Sequence, residues 1–300
     1  MRTGVLVTGA SGMVGRVLVP FLEARGHEVR RLVRGDARGP GEYRWDPAHG
    51  ELDPAALEGI SAVVHLAGEN IADGRWTAAR RAAIRDSRVQ GTAALARAIA
   101  AREDRPEVLV SASAVGYYGD RGDEPLSEEA GPGSGFLAGV CVEWEREAAE
   151  VERCGVRSVR LRLGVVLGPE GGALARMLPV FKAGVGGRLG SGRQWMSWIA
   201  VEDLAAICGE ALRRTDWRGA FNAVAPAPVT NAAFTETLAR ALGRPAVLPV
   251  PAAALKLLFG LMAEEALLAS TRAVPARLEA AGFVWRHPNL EAVLRAALAR

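Results

Sequence analysis

Residues Val5–Gly15 read VLVTGASGMVG, an apolar run that breaks into three glycines, Gly9, Gly12 and Gly15, before an amphipathic segment begins. The run has the length and composition of a buried strand. The glycines suit a tight turn, a close backbone approach and intimate strand–helix packing. The helix that follows presents free N–H groups at its first turn, where partial positive charge attracts phosphate. The pattern therefore predicts a dinucleotide pyrophosphate over the backbone of Ser11, Gly12, Met13 and Val14, with the Ser11 hydroxyl in reach.

The alternation continues through the first half. The first helix is expected at 13–25, ended by Gly26, and long helices at 75–102 and 135–153. Strands are expected at Glu28–Val33, Glu42–Trp45, Ile60–Leu66, Val108–Ser111 and Ser158–Leu163. Apolar strands separated by helices predict an α/β fold, a doubly wound parallel sheet covered on both faces. Beyond Leu167 the pattern loosens. Residues 168–198 are rich in glycine, and helices are expected at 202–213, 231–242, 251–259, 264–270 and 289–299. The expected division is a dinucleotide-binding domain over 1–167 and a smaller, mainly helical substrate lobe over 168–300, whose strands can join the sheet. Ligands in open α/β sheets bind at the carboxyl ends of the strands, and the lobe is expected to close over that edge.

Composition narrows the partners. With 300 residues, 49% of them hydrophobic, the chain can bury a substantial core. Lys plus Arg is 37 against 34 Asp plus Glu, so the pI near 9.0 reflects an excess of only +3. Arg80-Arg81 and Arg213-Arg214 lack interleaved aromatics and read as solvated helix faces, which argues against nucleic acid. Cys141, Cys154 and Cys208 have neither metal spacing nor a disulfide plan, so no metal and a reducing compartment are expected. The first strand is expected to begin by Thr3, leaving no room for a signal peptide, and no apolar run reaches membrane-spanning length. The expectation is a cytoplasmic protein without a membrane partner.

Further site residues follow from position. The second strand ends Arg30-Arg31-Leu32-Val33-Arg34. A cation there suits the 2′-phosphate of NADP, whereas an acid suits the ribose hydroxyl of NAD. Arg34 favours NADP(H), and Asp36 keeps NAD(H) as the alternative. Asp46, after the third strand, is placed to meet an adenine amino group. Leu66, Ala67, Gly68 and Glu69 end the fourth strand, where small residues let the backbone approach the cofactor; His65 reads as a packed strand residue. Val165, after the sixth strand, is placed at the nicotinamide end. In the glycine-bent segment Arg188–Trp198, Arg193, Gln194 and Ser197 suit a polar or anionic small-molecule substrate and Trp195 a flat one, while Trp198 reads as lobe packing.

Thr8–Gly15 and the segment Ser111–Gly119 (SASAVGYYG) together resemble the extended short-chain dehydrogenase/reductase superfamily. Within it the chain is similar to a branch of epimerase-family proteins. The matching stretches are His65–Ile71 (HLAGENI), Trp76, Ser87-Arg88, Gly164–Gly168 (GVVLG), Gly190–Ile199 (GSGRQWMSWI), Asn222–Pro226 (NAVAP) and a C-terminal segment at about 250–297. The resemblance implies a Rossmann-type sheet, adds Arg88 to Arg34, Leu66 and Ala67 as NADP contacts, and implies redox or epimerase chemistry. Dimers of that superfamily form through two long helices, and the Ala-rich stretches 90–101 and 137–149 permit a homodimer.

Active members pair a Ser or Thr with Tyr-x-x-x-Lys, one helical turn placing the lysine beside the phenol. Here Phe136 and Val140 take those positions, and Tyr-x-x-x-Lys occurs nowhere in the chain. Ser113 fits the serine position, with Ser111 as its alternative. Tyr117 and Tyr118 are candidate proton donors, and Glu69, Glu143 and Glu145 are carboxylates expected near the same edge. Two readings follow: an NADP(H)-dependent oxidoreductase or epimerase-like enzyme with an unusual donor, or a catalytically silent, dinucleotide-binding regulator.

Overall fold

A computed structural model describes residues 4–299, so the strand start expected at Thr3 lies outside the described residues. The first half runs β1 (Gly4–Thr8), α1 (Met13–Glu23), β2 (Glu28–Val33), β3 (Glu42–Asp46), β4 (Glu51–Leu52), β5 (Ile60–His65), α2 (Ala78–Ala100), β6 (Val108–Ala114), β7 (Pro125–Leu126), α3 (Phe136–Ala149) and β8 (Arg157–Leu163). The second half adds β9 (Val165–Leu167), α4 (Gly172–Lys182), β10 (Trp195–Met196), β11 (Trp198–Ala200), α5 (Val201–Arg213), β12 (Gly219–Ala223) and β13 (Val229–Thr230). It closes with α6 (Asn231–Leu242), α7 (Ala252–Phe259), β14 (Arg272–Ala273), α8 (Ala276–Ala280) and α9 (Leu290–Leu298).

The central sheet has eight strands in the order β12-β8-β6-β5-β1-β2-β3-β4, parallel except for β4, which pairs antiparallel to β3. Side chains alternate across it. Val5, Val7, Val64, Val159 and Leu161 pack against Leu18 and Leu22 of α1 and Leu204 and Ile207 of α5. Leu6, Val63 and Leu109 face the other way, against Leu95 and Ile99 of α2 and Ala148 of α3. Strand order reverses between β1 and β5, so their carboxyl ends open the crevice in which such sheets bind ligands.

The second half builds a further core around Leu174, Phe181, Trp198, Phe234 and Leu294. It also supplies β12 to the edge of the sheet and α5 to the face shared with α1. One element is added and one expectation needs correction. The glycine-rich stretch 168–198 contains a helix, α4, because Leu174, Leu178 and Phe181 recur at helical spacing between flanking glycines. The helix expected at 264–270 is instead a single π-helical turn, Ala263–Leu267. Among the described residues, no helix is long and apolar enough to cross a membrane, and no group of His, Cys, Asp and Glu side chains could hold a metal ion.

Candidate cofactor and substrate site

The β1–α1 turn assigns each glycine a separate task. A Cβ on Gly9 (φ +69°) would stand 2.9 Å from the carbonyl carbon of Leu66, and one on Gly15 would stand 2.5 Å from Ala10 Cα. Both positions are fixed by backbone against backbone. Gly12 is exposed, and its Cβ would meet only the Gly9 carbonyl, at 3.2 Å. The Gly12 N–H, expected to face a ligand, instead donates to that carbonyl at 3.0 Å and closes the turn. Met13 and Val14 keep first-turn amides without intrahelical partners, and α1 has neither a capping side chain nor an acidic residue in that turn. Ser11 is exposed beside them. The Met13 side chain reaches the start of α4, 3.0 Å from the Cβ direction of Gly172, so the second half of the chain roofs the turn.

At the end of β5 the backbone is pinned by a hydroxyl. Thr8 Oγ1 accepts from the amides of Leu66 and Ala67, each at 3.1 Å, and therefore turns its own proton to His65 Nδ1, 2.7 Å away. That leaves His65 Nε2 as the protonated nitrogen, donating to Thr92 Oγ1 at 3.0 Å. Burial pushes the imidazole down to about 4, so His65 is a neutral structural residue, as the sequence suggested.

Beyond it, Glu69 accepts from Arg34 and from Arg80, both at 3.2 Å. The Arg34 side chain is 75% exposed, leaving its fork free to turn to another anion. Arg88 reaches towards Gly68, whose Cβ direction lies 3.3 Å from the guanidinium carbon. It donates to the Ile84 carbonyl at 3.1 Å, lies 5.2 Å over the Trp144 ring, and has no ion pair among the described residues. Burial holds its guanidinium below the usual value, partly offset by Cys141 and Glu69. Asp46 differs from expectation. Its carboxylate accepts from the amides of Ala48 and His49 and pairs with His49 Nδ1 at 2.9 Å, so it holds its own turn together. Those same hydrogen bonds, led by the His49 side chain, hold it below the usual carboxylate range.

The second half of the site is a polar row. Register places Ser113 of β6, Arg162 of β8 and Asn222 of β12 side by side near the strands' carboxyl ends. Arg162 donates to both oxygens of Glu145 from α3, at 2.8 and 2.9 Å, and Ser113 Oγ donates to the same carboxylate at 2.7 Å. Burial opposes the Arg162 charge, but these bonds raise its proton affinity overall. Tyr118 is fully buried. Its oxygen accepts from Arg162 at 2.9 Å, and its proton is shared between Asn222 Oδ1 at 2.7 Å and the Ser127 carbonyl at 3.0 Å. Burial raises its phenol above the usual value.

Tyr117 is half-buried, with the Arg162 guanidinium carbon 3.5 Å from its ring centroid; its hydroxyl forms no hydrogen bond among the described residues. Phe136 packs edge-on to Trp76 and Val140 is buried, so α3 offers no proton-transferring group at either position. Glu143 is not brought here, since it pairs with Arg85 on the outer side of α2 and α3. Arg162 escaped the sequence reading, and Asn222 entered it only as the first residue of the matching stretch Asn222–Pro226. Their signal was a polar residue at alternate positions of otherwise apolar strands, RSVRLRL and GAFNA, in register only once the sheet is assembled.

The segment expected to grip substrate is mostly turned inward. Gln194 Nε2 donates to the carbonyls of Leu189 and Leu267, both at 3.1 Å, and Ser197 Oγ donates to those of Thr271 or Ala273, at 2.9 and 3.2 Å. Trp195 Nε1 donates to Asp123 at 2.8 Å and one ring face carries Arg272 at 4.3 Å. Arg193 is exposed. Val165 is half-buried, and its amide donates to the Ser197 carbonyl at 2.8 Å, tying this segment to the end of β8.

The profile of the NAD dependent epimerase/dehydratase family matches residues 5–223. The chain belongs to that family. A Domain of unknown function (DUF1731) matches residues 250–297. Epimerase family protein MT2273 of Mycobacterium tuberculosis is 44% identical over 296 residues, covering 99% of this chain and 98% of that one. Human epimerase family protein SDR39U1 (isoform2), solved with NADPH, superposes at a TM-score of 0.90 with 35% identity, covering 99% of this chain and all of that one. A nucleoside-diphosphate sugar epimerase from Corynebacterium glutamicum superposes at 0.81 with 38% identity, over 99% of this chain and 58% of its own.

Proposed function

We propose that the chain binds NADP(H) across the β1–β5 crevice and carries out oxidoreductase or epimerase-type chemistry on a small hydroxyl- or carbonyl-bearing substrate. The observation that carries this reading is the first turn of α1, open, uncapped and roofed, with the guanidiniums of Arg34 and Arg88 both at the Gly68–Glu69 segment. These residues fit a dinucleotide. Ser11, Met13 and Val14 are assigned to the pyrophosphate, Arg34 to the 2′-phosphate and Val165 to the nicotinamide end. The NADPH in the human relative supports NADP over NAD. The Corynebacterium neighbour's name supports a sugar-like substrate.

The nicotinamide supplies or accepts hydride; the chain's residues position the substrate and move a proton. Tyr117 is assigned as the proton-exchanging group in preference to Tyr118, whose proton is committed within the core. Ser113 and Glu145 hold Arg162 against the Tyr117 ring, and Arg193 and Trp195 are left as substrate contacts, with Gln194 and Ser197 shaping their loop.

Calorimetric titration with NADPH and NADH, on the native chain and on Arg34→Ala, tests the cofactor assignment. A preference for NADPH that collapses in the variant is expected; equal or negligible binding of both overturns it. Phe136 and Val140 favour a second reading, a regulator that binds the cofactor without turnover. Oxidation of NADPH with a carbonyl panel, abolished in Tyr117→Phe, selects the enzyme. Tight binding with no turnover selects the regulator.

A further inference from the structure

At the amino ends of β8 and β12, the edge of the sheet opposite the cofactor crevice, lies a cleft of about 320 Å³ bordered by Glu152, Gly155, Ser158, Arg160, Arg218 and Gly219. Its origin is topological. Val159 and Leu161 point to the α1–α5 core, so Ser158 and Arg160 point to the other face, which the chain leaves when the 3-10 turns that follow α3, Glu150–Cys154, end at Gly155 (φ +85°).

Three features of this cleft are unfinished. The Ser158 side chain is buried, yet its Oγ has no hydrogen-bond partner among the described residues, a costly state for a hydroxyl. Arg218 is exposed and forms no ion pair or hydrogen bond among the described residues. Gly219 (φ +78°) is bare backbone on which guanidiniums converge: Arg160 Nη2 and Arg277 Nη1 each lie 3.3 Å from its Cβ direction.

On the opposite face of β8 Arg157, only 6% exposed, donates to the carbonyls of Ala211 and Trp217 at 2.8 and 3.0 Å and has no carboxylate partner among the described residues. Burial, and then the charge of Arg218, hold its guanidinium below the usual value, partly offset by Glu107 and Asp216. Within its lining the cleft sets two cations, Arg160 and Arg218, against one carboxylate, Glu152, 3.3 Å from Arg160 Nη1. Like charges gathered in a concave site raise the local potential for an anion.

We infer that this cleft is a second anion site, independent of the cofactor crevice, that takes a phosphate group between Arg160 and Arg218 with the Ser158 hydroxyl donating to it. A tetrahedral dianion supplies acceptors for two guanidinium forks and a hydroxyl arriving from different directions, which a planar carboxylate does not. Glu152 is the built-in competitor, holding Arg160 when the anion is absent.

The test is calorimetric titration at low ionic strength with inorganic phosphate and with glycerol 3-phosphate, each with and without saturating NADPH. Binding that persists with NADPH present is expected. Arg218→Ala and Ser158→Ala weaken it roughly tenfold, the loss of one charge-assisted contact, and Glu152→Gln tightens it. Tighter binding of glycerol 3-phosphate identifies a phosphorylated metabolite as the source, and equal binding identifies free phosphate; both support the site. Absence of saturable binding, displacement by NADPH, or indifference to Arg218→Ala overturns it. Arg218 is exposed, so its variant keeps the fold, and an unchanged melting temperature checks this. The phosphate arms without NADPH stand whether or not the cofactor assignment does.

Discussion

Thr8 and Thr92 occupy both ring nitrogens of His65, and the imidazole folds neutral. Its value falls from an ordinary 6.5 to about 4 in the folded chain, so its contribution is complete above pH 6.5 and is lost as pH falls towards 4. At about 1.4 kcal/mol per unit, the loss is about 3 kcal/mol. Urea unfolding at neutral and mildly acidic pH is expected to show a steeper acid loss in the native chain than in His65→Leu. The Arg162–Glu145 pair makes a different prediction. With side chains 5% and 11% exposed, removing one partner strands the other. Glu145→Gln is expected to cost about 3–5 kcal/mol in urea unfolding, well beyond an exposed pair such as Arg240–Glu236. Arg34 and the α1 amides could be nominated from the sequence because one short segment carries each. The Ser113–Glu145–Arg162–Asn222 row was not, because its members come from four elements and meet only through register.

Elements were legible where a single periodicity ran uninterrupted. The spans of β2 and α6 were anticipated residue for residue, whereas α4 was hidden by the glycines around it. The first turn of α3 could not be read locally at all. Glu265, more than a hundred residues downstream, accepts from the amides of Phe136 and Leu137 at 2.8 and 2.7 Å and caps a helix that has no cap of its own. Glu265→Ala is expected to cost about 1 kcal/mol, and hydrogen exchange at those two amides to accelerate. The glycine turn separates shape from binding. Gly15→Ala forces a Cβ into the Gly9–Ala10 backbone and is expected to lower the melting temperature, whereas Gly12→Ala, facing outward, is expected to keep it and weaken NADPH binding.

For the whole molecule, cofactor and stability are linked by mass action. NADPH at a hundredfold its dissociation constant is expected to add about 2.7 kcal/mol. Thermal melting at rising NADPH is expected to show this increment, reduced in Arg34→Ala, whose own melting temperature is unchanged because the residue is exposed. The general architecture was legible from alternating strands and helices. The closure of the sheet by β12 was not, since GAFNA is short and stands far from its partner β8. That distance has a consequence for synthesis. When the ribosome has delivered the chain as far as Leu167, β8 has no neighbour beyond it, and the apolar face that α5 will cover is bare. The nascent protein must hold an open edge, a template for pairing with other chains, until Gly219–Ala223 emerges. A gene cut after Leu167 is therefore expected to yield an aggregating fragment rather than a working cofactor module.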